Sequence, residues 1–94
     1  GMITSNEPGI YIEGSHGVRI ESELLCVENP NGSRSFTCIT ICPLDRAAIL
    51  PELLTDEELA WVNAYHKEVY QKLAPLLSEE VKNWLAEETK EITK

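Results

Sequence analysis

The chain has 94 residues, with 8 basic against 16 acidic side chains and a formal net charge of −8. That length holds one small domain with a modest core, because chains of this size bury only about 60–65% of their unfolded surface. The negative balance argues against nucleic-acid or anionic-membrane binding, and no apolar run approaches the roughly 20 residues of a membrane span. A hydrophobic content of 43% is ordinary for a globular protein and argues against disorder.

In chain order, Met2–Ser5 reads as a strand. Glu7 then ends that extended segment at a tight corner, since Pro8 removes a donor and Gly9 can take a positive φ. Ile10–Glu13 is the next strand, with Tyr11 and Glu13 on the face opposite Ile10 and Ile12. Gly14-Ser15-His16-Gly17 is rich in turn formers and predicts the reversal. Val18–Asn29 reads as one long strand, or as two joined by a bend near Ser22-Glu23, with Leu24–Val27 its buried part. Asn29–Ser33 carries an Asn-Gly pair in a polar loop and predicts a hairpin. Phe36–Cys42 returns as a β-branched strand that Pro43 ends.

After Pro43 the period changes. Asp45–Leu54 reads as a connector with a helical turn over Arg46–Leu50. Thr55-Asp56-Glu57-Glu58 is a capping box, and the helix it opens puts Leu59, Val62, Tyr65/His66, Val69 and Leu73 along one side until Pro75. Ser78 caps a second helix, with Glu79 and Glu80 favourable against its dipole and Val81, Trp84, Leu85 and Ile92 as the apolar stripe. Glu87–Glu91 is expected to be a solvated helix face. The fold class is therefore α+β, antiparallel strands and hairpins over residues 1–43 followed by a helical region over 44–94.

Two carboxylates stand out. Alternation puts Gly17, Arg19 and Glu21 on one face of their strand, which suits a cleft, with Val18 and Ile20 supplying burial on the other face. Glu7 and Glu21, from adjacent strands, could each ligate a hard divalent cation; spacing alone also allows two solvated glutamates. Arg19 can hold a ligating carboxylate by hydrogen bonding, or make an ordinary surface ion pair. His16 reads as a loop residue near the cleft mouth and His66 as structural. Cys26, Cys38 and Cys42 include no Cys-x-x-Cys pair and read as buried free thiols, which fits a reducing, cytoplasmic compartment. Trp61 and Trp84 read as core or interface anchors.

Ser5-Asn6-Glu7-Pro8-Gly9-Ile10-Tyr11, followed by Gly17-Val18-Arg19-Ile20-Glu21, resembles the C-terminal end of the pita-bread metallopeptidases. Leu53-Leu54-Thr55 and Trp61-Val62-Asn63-Ala64-Tyr65-His66 resemble the C-terminal extension of the Xaa-Pro aminopeptidases within that family. The resemblance implies an enzyme that removes the N-terminal residue from peptides with proline second, using two divalent ions, manganese by preference and zinc or cobalt as alternatives. It implies that Glu7 is a terminal metal ligand and proton shuttle, that Glu21 bridges both metals, and that one histidine and two aspartates come from segments outside this chain. A Gly-Met pair like Gly1-Met2 lies inside the family's catalytic domain, so the chain reads as a cut through a larger protein, or as Gly1 left by a cleaved tag. Alone it is expected to be inactive and to bind metal weakly, with the rest of the catalytic domain as its partner and a homodimer through an exposed sheet edge as a consequence of truncation. An Xaa-Pro dipeptidase, a non-catalytic module of the same superfamily and a stand-alone acidic interaction protein are the competing readings.

Overall fold

Five strands form where alternation and turn residues place them: β1 (Ile3–Asn6), β2 (Gly9–Ile12), β3 (His16–Arg19), β4 (Ser22–Glu28) and β5 (Arg34–Cys38). The computed structural model describes residues 1–94 and divides them into two compact units, Gly1–Thr40 and Ile41–Lys94.

In the first unit, β1 pairs antiparallel with β4, from Ile3 opposite Leu25 to Asn6 opposite Ser22. β2 pairs with β3 from Gly9 opposite Arg19 to Ile12 opposite His16. The two ladders keep one register, so together they are a single long hairpin interrupted for two residues on each side, at Glu7-Pro8 and Ile20-Glu21. The interruption has a covalent cause. The Ile20 N–H donates to the Pro8 carbonyl at 3.2 Å, but proline has no N–H to return the bond.

The hairpin reverses over Glu13–Ser15, where Gly14 takes φ 71° and the Ser15 N–H donates to the Ile12 carbonyl at 3.0 Å. One residue with positive φ suffices for the reversal, so His16 and Gly17 belong to β3 and not to a four-residue turn. Val18–Asn29 divides into two strands as one of the two readings had it, but at a pairing gap over Ile20-Glu21, whereas Ser22 and Glu23, where a bend was expected, belong to β4. β5 adds to β4 from Leu24 opposite Cys38 to Glu28 opposite Arg34, giving a sheet of order β1-β4-β5. Its hairpin loop is the Asn29–Ser33 segment, with Gly32 at φ 84° and Asn31 Oδ1 accepting from the Ser33 N–H at 3.0 Å.

β5 ends at Cys38, short of the expected Cys42, because the Thr40 hydroxyl instead accepts from the Glu23 N–H at 2.8 Å. Cys38 and Cys42 therefore do not share a strand. All three thiols are free, Cys26 and Cys38 half-buried and Cys42 exposed, which corrects the expectation that all are buried. The expected burial of the Val18/Ile20 face is also absent: Val18 is 60% and Ile20 51% exposed, and no residue of Gly1–Thr40 is buried. Two small sheets with no second layer in their own unit have nothing to bury an apolar face against.

The second unit is helical. Turns of 3-10 helix at Arg46–Ala48 and Pro51–Leu53 lead to α1 (Asp56–Leu73) and α2 (Glu79–Glu88). The capping box of α1 is complete: Thr55 Oγ1 accepts from the Glu58 N–H at 3.1 Å, and Glu58 Oε2 from the Thr55 N–H at 2.8 Å. Pro75 cannot continue the ladder, so α1 closes into a 3-10 turn at Ala74–Leu76, and Ser78 then caps α2. The core is small. It comprises Val62, His66 and Val69 from one stripe of α1, with Ala74, Leu85 and Ile92. The predicted stripe of the second helix is only partly realised. Val81 and Trp84 are exposed, as is Trp61. Ile92 is buried from beyond the helix, since α2 stops at Glu88 and Arg46 donates to the Glu87 and Glu91 carbonyls there, both at 3.3 Å. Glu91 accordingly lies off the helix whose solvated face it was expected to join.

Candidate metal centre

Glu7 and Glu21 lie in the gap of the long hairpin. One further step of the β1–β4 register sets them directly opposite each other, and opposed residues of an antiparallel pair point to the same face. Ser5, two residues before Glu7 on that face, donates from its hydroxyl to Glu7 Oε2 at 2.9 Å and fixes the carboxylate. A hydrogen bond with the Glu7 carboxylate, and its charge, push Glu21 above its usual carboxylate range. Slight desolvation and the Glu23 charge act the same way, and Arg19 opposes them. Arg19 Nη2 stands 4.0 Å from Glu21 Oε1, both side chains being exposed. The hairpin therefore juxtaposes two acids whose mutual repulsion is only partly offset by one guanidinium.

The neighbouring rungs keep this face open. Beyond Glu7/Glu21 come Gly9 opposite Arg19 and Tyr11 opposite Gly17. The Tyr11 ring lies across both glycines: a Cβ on Gly9 would stand 2.7 Å from Tyr11 Oη, and one on Gly17 3.0 Å from the ring edge. Tyr11, Ser5 and Glu23 are the residues of this face that the motif alone did not single out. Their signal was available in strand alternation, since Ser5 and Tyr11 are two before and four after Glu7.

His16 is not brought to the pair. It sits at the tip of the hairpin with Nδ1 2.9 Å from the Ser15 hydroxyl, separated from the acids by the Arg19 and Tyr11 rungs. His66 lies in the other unit, fully buried. No group of three or more His, Cys, Asp or Glu side chains gathers anywhere in the chain. A pair of hard, anionic oxygen donors held face to face with too little countercharge nonetheless fits a divalent cation.

Residues 33–92 match the family described as the C-terminal region of peptidase M24, and the chain belongs to that family. Its most similar curated relatives include a probable Xaa-Pro aminopeptidase P of Coprinopsis cinerea, 43% identical over 95% of this chain and 16% of the relative. Another, from Aspergillus flavus, is 36% identical over 100% of this chain and 16% of its own length. Among solved structures, the X-prolyl aminopeptidase of Caenorhabditis elegans, described as a cytosolic enzyme with a di-nuclear active site, superposes with a TM-score of 0.81 at 30% identity. That match covers 96% of this chain and 16% of the nematode protein. The strands followed by two helices are thus the C-terminal part of a pita-bread domain, and the chain spans about a sixth of the length of the relatives it matches.

Proposed function

We propose that this chain supplies two of the metal ligands, Glu7 and Glu21, of a dinuclear aminopeptidase that releases the N-terminal residue of peptides with proline in second position. The observation that carries this reading is the opposed carboxylate pair at the proline-made gap of the hairpin, in a chain whose relatives are named for that activity. Glu21 would serve as a ligand to both ions, with Arg19 4.0 Å from one of its oxygens to help orient it. Glu7, oriented by Ser5, would hold one ion and could carry a proton from the attacking water to the departing amine. When bound, divalent ions at this site acidify the nucleophilic water and polarise the scissile carbonyl. Manganese is the preferred metal and the cytoplasm the compartment. The rest of the catalytic domain is the partner that covers Ile10, Val18 and Ile20 and brings the remaining ligands.

The isolated 94-residue chain brings only Glu7 and Glu21 of its 16 acidic side chains to the site, so it is inactive by itself. Its purified form is assayed with an Xaa-Pro peptide beside the intact enzyme; turnover by the chain alone refutes the reading. In the intact enzyme, Glu21→Gln keeps the shape of the side chain and removes the bridging charge. Loss of activity together with loss of metal, measured by elemental analysis of the folded variant, is the expected result.

A further inference from the structure

Three polar side chains within one turn of α1 each hold backbone, not another side chain. Asn63 pairs with Ile92 as a strand would, Oδ1 accepting from the Ile92 N–H at 2.9 Å and Nδ2 donating to its carbonyl at 3.0 Å. The Tyr65 hydroxyl accepts from the Cys42 N–H at 3.3 Å and donates to the Cys42 carbonyl at 2.7 Å. His66 Nε2 accepts from the Leu44 N–H at 3.0 Å. The backbone that Tyr65 and His66 hold, Ile41–Leu44, has no regular structure of its own. These side chains take the place of a ladder.

Of the three clasps, only His66 depends on its protonation state near neutrality. Nε2 can accept only when it carries a lone pair, so the ring is neutral with its proton on Nδ1. The ring is 0% exposed and Nδ1 is buried without a hydrogen-bond partner. From the connector, Leu44 presents its N–H and Arg46 its positive charge; from α1 itself, the Tyr65 ring lies tilted against the imidazole at 5.9 Å. No carboxylate pairs with the ring to stabilise a cation.

We propose that His66 is an acid-released latch: a second proton sets Nε2–H against the Leu44 N–H and frees the Ile41–Leu44 segment from α1. The same surroundings set the direction. Burial first, and Arg46 second, hold His66 below the usual histidine range in the folded chain. The unfolded chain therefore binds the proton more readily. The contribution of neutral His66 is complete above the unfolded histidine value of roughly 6.5, and it is lost as pH falls from there through the lower folded value.

The test follows the histidine ring nitrogens and the Leu44 amide of the isotopically labelled 94-residue chain by NMR as pH is lowered. Expected are the Nδ1–H tautomer at neutral pH, protonation of His66 at lower pH than in the urea-unfolded chain, and loss of Leu44 amide protection with the same midpoint. Protonation at or above the unfolded value overturns the proposal, as does an Nε2–H tautomer or a Leu44 amide still protected after His66 is charged. His66→Gln, which retains an acceptor and cannot titrate, should keep Leu44 protected through the acid range in which the parent chain loses it. Should that variant not fold, the three readings on the unaltered chain decide the matter.

Discussion

The two units of this chain are stabilised in different ways. Ile41–Lys94 contains every buried residue, with Leu85 at 1% and Val69 at 0% exposure, and ties its irregular segments down with Asn63, Tyr65 and His66. Gly1–Thr40 has no buried residue at all, and its Ile10 is 68% exposed. It is organised by ladder hydrogen bonds and turn chemistry, and its apolar side chains build no core of their own. The carboxylate pair sits in that second kind of structure. A unit with its own core can be judged alone, whereas a unit without one leaves its apolar face open to a covering partner.

The sharpest way to break the comparison is functional. Glu21→Gln in the intact enzyme should lower kcat/KM by at least about a hundredfold, since even residues that only support a metal ligand matter by roughly 10–100-fold. An equal loss from Leu85→Ala at a temperature where that variant is folded would remove the distinction between the units. For stability the order reverses. Leu85→Ala should destabilise the isolated chain by about 3 kcal/mol in a urea titration followed by circular dichroism, from lost transfer energy and the cavity left behind. Ile10→Ala, at an exposed position, should move the same midpoint by less than about 0.5 kcal/mol. In the intact enzyme Ile10→Ala should become costly, and an unchanged midpoint there would show that the face stays uncovered. Thr55→Ala, which removes half of the capping box, should destabilise α1 by about 1 kcal/mol. Smallest of all, Lys94→Ala breaks a 3.0 Å pair with the fully exposed Asp56, and the midpoint should shift by less than about 0.5 kcal/mol.

Much of this was legible from local signals. Thr55 with Glu58, Ser78, Pro75 and the Asn29–Ser33 loop each act within a few residues of themselves, and each did locally what its chemistry dictates. The tight corner expected at Glu7-Pro8-Gly9 did not form: Gly9 has no positive φ and opens β2, and the hairpin register runs straight through the two-residue gap. Hidden from the sequence was that Pro8 lies across from Ile20, so that one missing donor opens both strands at the two glutamates. The short β5 and the burial of Ile92 also escaped, because each depends on a partner far along the chain: Thr40 on Glu23, Ile92 on Asn63.

While Glu7 and Glu21 stood out only through the family resemblance, residue order by itself determined the succession of strands and helices and most of their caps and turns. These follow from backbone stereochemistry and from side chains acting on their near neighbours. Only the tertiary structure decided that Glu7 faces Glu21 and that the polar side chains of α1 grip irregular backbone. It also decided which apolar residues find a core. Those outcomes depend on which distant segments come to lie opposite one another, and that is fixed by register and packing over the whole unit.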